Sequence, residues 1–346
     1  METMVIRPLQ LANYLSASIS AGHPVLVTGA PGIGKSDIIA QAARTAGAEV
    51  ILSHPVVSDP TDAKGLPWKV EGENVATFLP FGDLARALDS TVSTVWFLDD
   101  LGQASPAVQA SFMQLLLARR VNGHILPDCV TFVAATNRRT DRAGVSGVLE
   151  PVKGRFYTIL ELEPSLDDWS NWAIDNDIVP ELIAFLRFRP DLLSAFEPTA
   201  DLTNSPTPRT WSHVSSILNY HLSRDIETLA ICGAVGEGAG MEFMAFLAMY
   251  QDLPNIDAIL VDPDASAIPE KPATLYALTT GLAMRANDQT FGRIAKYAQR
   301  IVDAGHGEFG ALLLRDCLKR DESLIQSPDG VRLISGDLGK LISGGL

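Results

Sequence analysis

The chain has 346 residues, 47 % of them hydrophobic and 20 % charged. That is enough apolar mass for more than one packed core, and it excludes a disordered chain. A formal net charge of −14 argues against broad electrostatic attachment to nucleic acid, and the three scattered cysteines, Cys129, Cys232 and Cys317, exclude a disulfide framework or a Cys-based zinc site.

In chain order, Leu9 to Ser20 reads as a short amphipathic helix, broken by Gly22-His23-Pro24. No cleavage pattern marks Met1 to Ser20 as a signal peptide. Val25 to Thr28 is an apolar run ending at a glycine-rich loop. Asp37 to Ala46 has helical composition with Gly47 as its stop, and Glu49 to Ser53 is a second short strand. Further apolar runs, Thr94 to Leu98, Val130 to Ala135 and Tyr157 to Leu162, have the length and β-branched content of buried strands. Strands of this kind separated by helices predict an α/β fold with a parallel sheet flanked by helices. Trp68 to Phe78 and Arg120 to Leu126 read as two β-hairpins, the second turning on Asn122-Gly123. Beyond Pro164 the pattern is helical, with Trp169 and Trp172 expected in a core, and Phe291 to Ile325 is more helix. No stretch approaches the ~20 apolar residues that a membrane-spanning helix needs. The six histidines are scattered and form no metal motif. The expectation is a cytoplasmic protein with no membrane partner.

Gly29-Ala30-Pro31-Gly32-Ile33-Gly34-Lys35-Ser36 fits the phosphate-loop pattern G-x-x-x-x-G-K-S in full. Glycines let the backbone turn several N–H groups toward one phosphate, and the adjoining helix adds its positive end. Lys35 is expected to reach the β- and γ-phosphates and Ser36 to ligate Mg²⁺, with Asp37 next in the loop-helix junction. Asp99 comes directly after an apolar strand and is the candidate second Mg²⁺ residue; Asp100 beside it is the candidate to orient or deprotonate the attacking water. Guanine recognition by Asn-Lys-x-Asp is not met by Asn137-Arg138-Arg139-Thr140, so ATP is favoured over GTP.

With these residues in view, the sequence resembles the AAA+ ATPases, and within them the MoxR-like, dynein-related branch. The resemblance rests on the phosphate loop, on Asp59 to Pro67, on Phe97-Leu98-Asp99-Asp100-Leu101-Gly102-Gln103-Ala104, on Ala135-Thr136-Asn137, on Gly154-Arg155-Phe156 and on Thr207-Pro208-Arg209. It implies a P-loop nucleotide-binding domain over residues 1–164 with hairpin insertions, an all-α lid over 165–285 and a helical extension over 286–346. It implies that Asn137 is the sensor-1 residue, that Arg155 is an arginine finger acting on a neighbour's ATP, and that Arg209 is the sensor-2 residue of the lid. Arg142 is a rival for the finger. Asn137 as a turn cap and Arg209 as a helix N-terminal residue without ligand are the plain alternatives. The resemblance further implies a ring homo-oligomer, a hexamer by habit of the family, and a client protein, often with a partner containing a von Willebrand factor A domain. A nucleic-acid-directed motor, a metabolic kinase and a slowly hydrolysing scaffold stay open. The family more often has Asp-Glu where this chain has Asp99-Asp100, which bears on hydrolysis rate.

Overall fold

The computed structural model describes residues 4–141, 144, 147–251 and 255–335. Arg142 and residues 336–346 lie outside the described residues. The chain divides into two compact units. The first holds Met1–Asp168 with two later pieces, Phe196–Leu202 and Thr207–Arg209; the second holds Trp169–Ala195, Thr203–Pro206 and Thr210–Leu346.

The first unit is built on a parallel six-stranded sheet. Its strands are β1 (Met4–Ile6), β2 (Val25–Thr28), β3 (Glu49–Ser53), β6 (Thr94–Leu98), β9 (Val130–Thr136) and β10 (Thr158–Leu162), in the order β1-β10-β2-β9-β6-β3. Alternation along each strand divides the apolar side chains between two faces. Val25, Val27, Val95, Phe97 and Val133 join one core with Leu11, Leu15 and Ile39 from the helices Pro8–Ser20 and Lys35–Thr45. Leu26, Trp96, Leu98 and Phe132 join the other, with Leu84, Leu115 and Phe112. Trp96 stacks on Phe132 with centroids 5.3 Å apart. Both faces of β6 and β9 are thus covered, and every residue of the two strands is buried. This is why they read as nearly continuous apolar runs, interrupted only by threonines, rather than alternating ones.

The remaining strands, β4 (Leu66–Lys69), β5 (Ala76–Leu79), β7 (Arg120–Val121) and β8 (His124–Ile125), form two antiparallel hairpins, β4-β5 and β7-β8. Asn122 and Gly123 both take positive φ, 47° and 89°, as a tight two-residue turn requires. The hairpins are tied to neighbouring chain: Asn122 Nδ2 donates to the Lys64 carbonyl at 2.9 Å, and His124 Nε2 lies 2.8 Å from the Phe78 carbonyl.

The second unit is helical. Leu275, Leu278 and Leu282 share one core with Phe291, Ile294, Tyr297, Leu313, Leu314 and Leu333, and this core runs across residue 285 without a break. Phe185, Trp211 and Phe243 form an aromatic cluster with centroids 5.1 to 5.9 Å apart. Trp169 is buried, but Trp172 is 39 % exposed, so only one of the two tryptophans expected in the core is there. They lie three apart on the helix Leu166–Asp175, and the helix turns only part of its circumference inward. The buried Arg187 forms a bidentate pair with Asp316, Nη1–Oδ2 at 2.5 Å and Nη2–Oδ1 at 3.0 Å, and also donates to Thr280 Oγ1. Among the described residues no helix is long and apolar enough to cross a membrane.

Candidate functional site

The loop after β2 leads into the helix Lys35–Thr45, whose N-cap is Gly34 at φ 95°. The sequence placed the helix start at Asp37; the structure starts it two residues earlier, because the left-handed Gly34 lets the chain enter the helix at Lys35. Gly32 also has positive φ, 73°, and a Cβ there would sit 2.7 Å from Thr207 Oγ1. Only glycine meets both conditions. The backbone N–H of Arg209 donates to the Gly32 carbonyl at 3.0 Å. Thr207-Pro208-Arg209, far away in sequence, is thereby fixed against the loop.

Lys35 is 7 % exposed. Its ammonium donates to the Gly29 carbonyl at 3.0 Å, the Ala30 carbonyl at 2.8 Å and Asn137 Oδ1 at 2.7 Å. Ser36 Oγ donates to Asp99 Oδ2 at 2.8 Å. The other oxygen of Asp99 accepts the Asp100 N–H at 3.0 Å. Asp100 takes a left-handed conformation, φ 57° and ψ 34°, which short polar side chains tolerate best among non-glycine residues. Its Oδ1 lies 3.5 Å from Asn137 Nδ2 and 2.7 Å from Gln103 Nε2.

The ends of β2, β6 and β9 thus bring Lys35, Ser36, Asp99, Asp100 and Asn137 into one hydrogen-bonded network. This is the carboxyl edge of a parallel sheet, where ligands of such folds bind. The chain just beyond Asn137 is pinned in place: Arg138 pairs with Asp141 at 2.9 Å and with Glu161 at 3.4 Å, closing the turn after β9. Ala30 and Ile33 are buried beneath the loop, whereas Pro31 is only partly covered. Asp37 is exposed in the first helical turn. The Arg209 side chain is not buried, yet its charge is felt at Lys35. Arg155 is not part of the network. Its guanidinium donates to the carbonyls of Met113, at 3.0 Å, and Pro151.

Burial pushes the Lys35 ammonium down from its ordinary 10.5 to about 8, the charges of Asp100, Asp99 and Asp141 pulling it back up and that of Arg209 pushing it further down. A bound phosphate favours the charged amine, so nucleotide binding takes up a proton once Lys35 has begun to lose it. ATP affinity is therefore expected to be flat below about pH 7.5 and to fall by about tenfold per pH unit well above pH 8. Titration calorimetry in buffers of different ionisation enthalpy checks this. Lys35→Arg, which stays charged, should lack the alkaline fall.

The donor set suits a hard cation. Ser36 Oγ and Asp99 offer oxygen ligands side by side, and Mg²⁺ characteristically takes one or two protein oxygens and completes its shell with phosphate and water. Among the described residues no group of three or more His, Cys, Asp or Glu side chains forms a closed metal cage.

Residues 24–156 match the model of the AAA domain, dynein-related subfamily. That stretch, well under half of the chain, is similar to an AAA domain. No curated protein sequence matches the chain. Solved structures similar to this chain include Thermotoga maritima RuvB, described as a Holliday junction branch migration motor, at 18 % identity, 86 % coverage of each chain and a TM-score of 0.38. The K64R mutant of the same RuvB aligns at 17 % identity over 85 % of each chain, TM-score 0.41. NtrX from Brucella abortus in complex with ATP aligns at 12 % identity over 90 % of this chain and 69 % of that one, TM-score 0.43. Likeness at this distance carries no argument about this chain.

Two features of the site were not read from the sequence. Gln103 contacts Asp100, and the signal was its spacing: three residues on, in the single 3₁₀ turn Leu101–Gln103, where side chains three apart eclipse. Thr207 against Gly32 had no local signal.

Proposed function

We propose that the chain hydrolyses ATP as its Mg²⁺ complex and couples hydrolysis to mechanical work on a client protein, in the manner of MoxR-type AAA+ proteins. The observation that carries the chemical part is the network joining Lys35 and Ser36 to Asp99, Asp100 and Asn137. Ser36 and Asp99 would hold Mg²⁺, which neutralises charge on the phosphates. Lys35 has three ammonium protons, all with acceptors, so engaging a phosphate oxygen means exchanging one of them. Asn137 is the side-chain acceptor among the three and the natural one to release. Its freed amide would turn toward the water that Asp100 deprotonates. Phosphate binding and water placement are then linked through a single side chain.

Arg155 would act from a neighbouring subunit, so hydrolysis would require assembly, as a ring homo-oligomer and by family habit a hexamer. Its guanidinium is held by two carbonyls and has no part in its own chain's loop network; the role in trans rests on the family resemblance. Arg209, tethered to the loop through its backbone, would read the γ-phosphate. The net charge of −14 supports a protein client over nucleic acid, and the three free cysteines support a cytoplasmic setting. A von Willebrand factor A partner rests on the family resemblance.

The test is ATP turnover per subunit against protein concentration, with Lys35→Ala as background. Wild type should rise with concentration. Arg155→Ala should bind ATP normally and lose about 10³-fold or more in turnover. Flat specific activity and a normal Arg155→Ala would overturn the shared site. Bound ATP with negligible turnover at every concentration would favour the scaffold reading, for which the short Asp100 speaks.

A further inference from the structure

We propose that Gln103 is a positioning residue for Asp100, holding its carboxylate so that one oxygen is presented to the attacking water. The inference rests on the hydrolytic reading above and adds a residue to it.

Asp100 begins the 3₁₀ turn and Gln103 ends it, with the Gln103 N–H donating to the Asp100 carbonyl at 3.0 Å. Gln103 Nε2 meets Asp100 Oδ1 at 2.7 Å, a charge-assisted distance, whereas Asn137 Nδ2 is at 3.5 Å, the outer limit of a hydrogen bond. Gln103 is therefore the principal holder of the carboxylate. Both donors take Oδ1, so Oδ2 is the oxygen left for water.

A second observation supports the assignment. Gln103 Oε1 is buried and accepts no hydrogen bond. A buried orphan carbonyl is unfavourable. It results from the side chain's orientation, because only the amide N–H₂ can face a carboxylate. The fold accepts one unsatisfied atom to keep the other end of the side chain on Asp100. Asp100 itself sits in a sparsely populated left-handed conformation, which sets the direction of a side chain too short to reach far. A donor locked at i+3 then fixes its last torsion.

Steady-state kinetics of Gln103→Met tests this, because methionine keeps the volume and removes the donor. We expect kcat to fall about tenfold, a size found for supporting hydrogen bonds around a reactive group, with KM and ATP affinity within twofold of wild type. In the Asp100→Asn background the same change should have almost no further effect, because the carboxylate it positions is gone. Gln103→Glu, which keeps the shape but sets a like charge against Asp100, should lose kcat at least as strongly and serves if the methionine variant does not bind nucleotide. Unchanged kcat in both variants overturns the proposal. So does a raised KM at normal kcat, or losses that multiply with Asp100→Asn as independent structural damage would. If wild type turns over no faster than Lys35→Ala, hydrolysis itself falls; if Asp100→Asn is slow and the Gln103 variants are not, only this inference falls.

Discussion

Lys35→Ala should weaken ATP binding by about 100-fold or more, close to 3 kcal/mol, the size of a hydrogen-bonded charge lost from a phosphate. The variant should not be less stable than wild type. Lys35 is buried among carbonyls and its charge is disfavoured by burial, so below about pH 8 the wild-type fold carries a desolvation cost that alanine removes. Linkage sets the sign: between pH 8 and 10.5 the unfolded chain binds the proton more readily, so wild-type stability at this residue rises with pH in that window. The loss of affinity is therefore expected without a lower thermal midpoint. Equilibrium binding of a fluorescent ATP analogue, with a melting curve on the same sample, checks both halves. A variant that binds within a few-fold of wild type would mean that the loop does not hold phosphate through this amine.

Asp316→Ala should destabilise the helical unit by about 3–5 kcal/mol, because it strands the Arg187 guanidinium in a buried site where, among the described residues, Thr280 is its remaining side-chain partner. The paired replacement, Arg187→Met with Asp316→Leu, should recover most of the loss, since removing both charges also removes their desolvation cost. Urea unfolding followed by tryptophan fluorescence is suited to this, because Trp211 is fully buried in that unit. A chain of two units need not unfold in one step. The quantity to compare is the midpoint of the transition that Trp211 reports. Equal midpoints for Asp316→Ala and wild type would show that losing Asp316 does not strand a buried charge on Arg187.

The sheet strands and the phosphate loop were legible because their signals are local. A strand buried on both faces has to be largely apolar, and β6 and β9 are, with Thr94, Thr131 and Thr136 as their polar residues. The phosphate loop is a contiguous motif, and its helix begins at once. Asp99 and Asn137 were legible for a related reason: Asp99 directly follows an apolar run and Asn137 follows another after Thr136, so their places near strand ends are written in the pattern. The Arg187–Asp316 pair was not legible, since nothing near either residue marks it as buried. Nor was the clasp between Arg209 N–H and Gly32, a backbone contact that any residue except proline would make. Gln103 lay between these cases. Its distance from Asp100 was plain, but the 3₁₀ turn that makes that distance productive depends on a left-handed aspartate, which composition does not announce. Trp172 failed in the opposite way. Tryptophan favours interiors on average, and the helix phase that puts it outside is set by the neighbouring Trp169.

The position of β2 within its sheet has a temporal side. It is flanked by β9 and β10, with Val25 paired to Val133 on one side and to Thr158 on the other. Met4 at the outer edge waits for Leu160. During synthesis the strand that carries the phosphate loop is made early and has no hydrogen-bonded neighbour until much later sequence has emerged. Pairings of such separation are slow to close, and unpaired apolar strands invite association meanwhile. The strand that carries the loop is thus among the last parts of its sheet whose pairing can be completed.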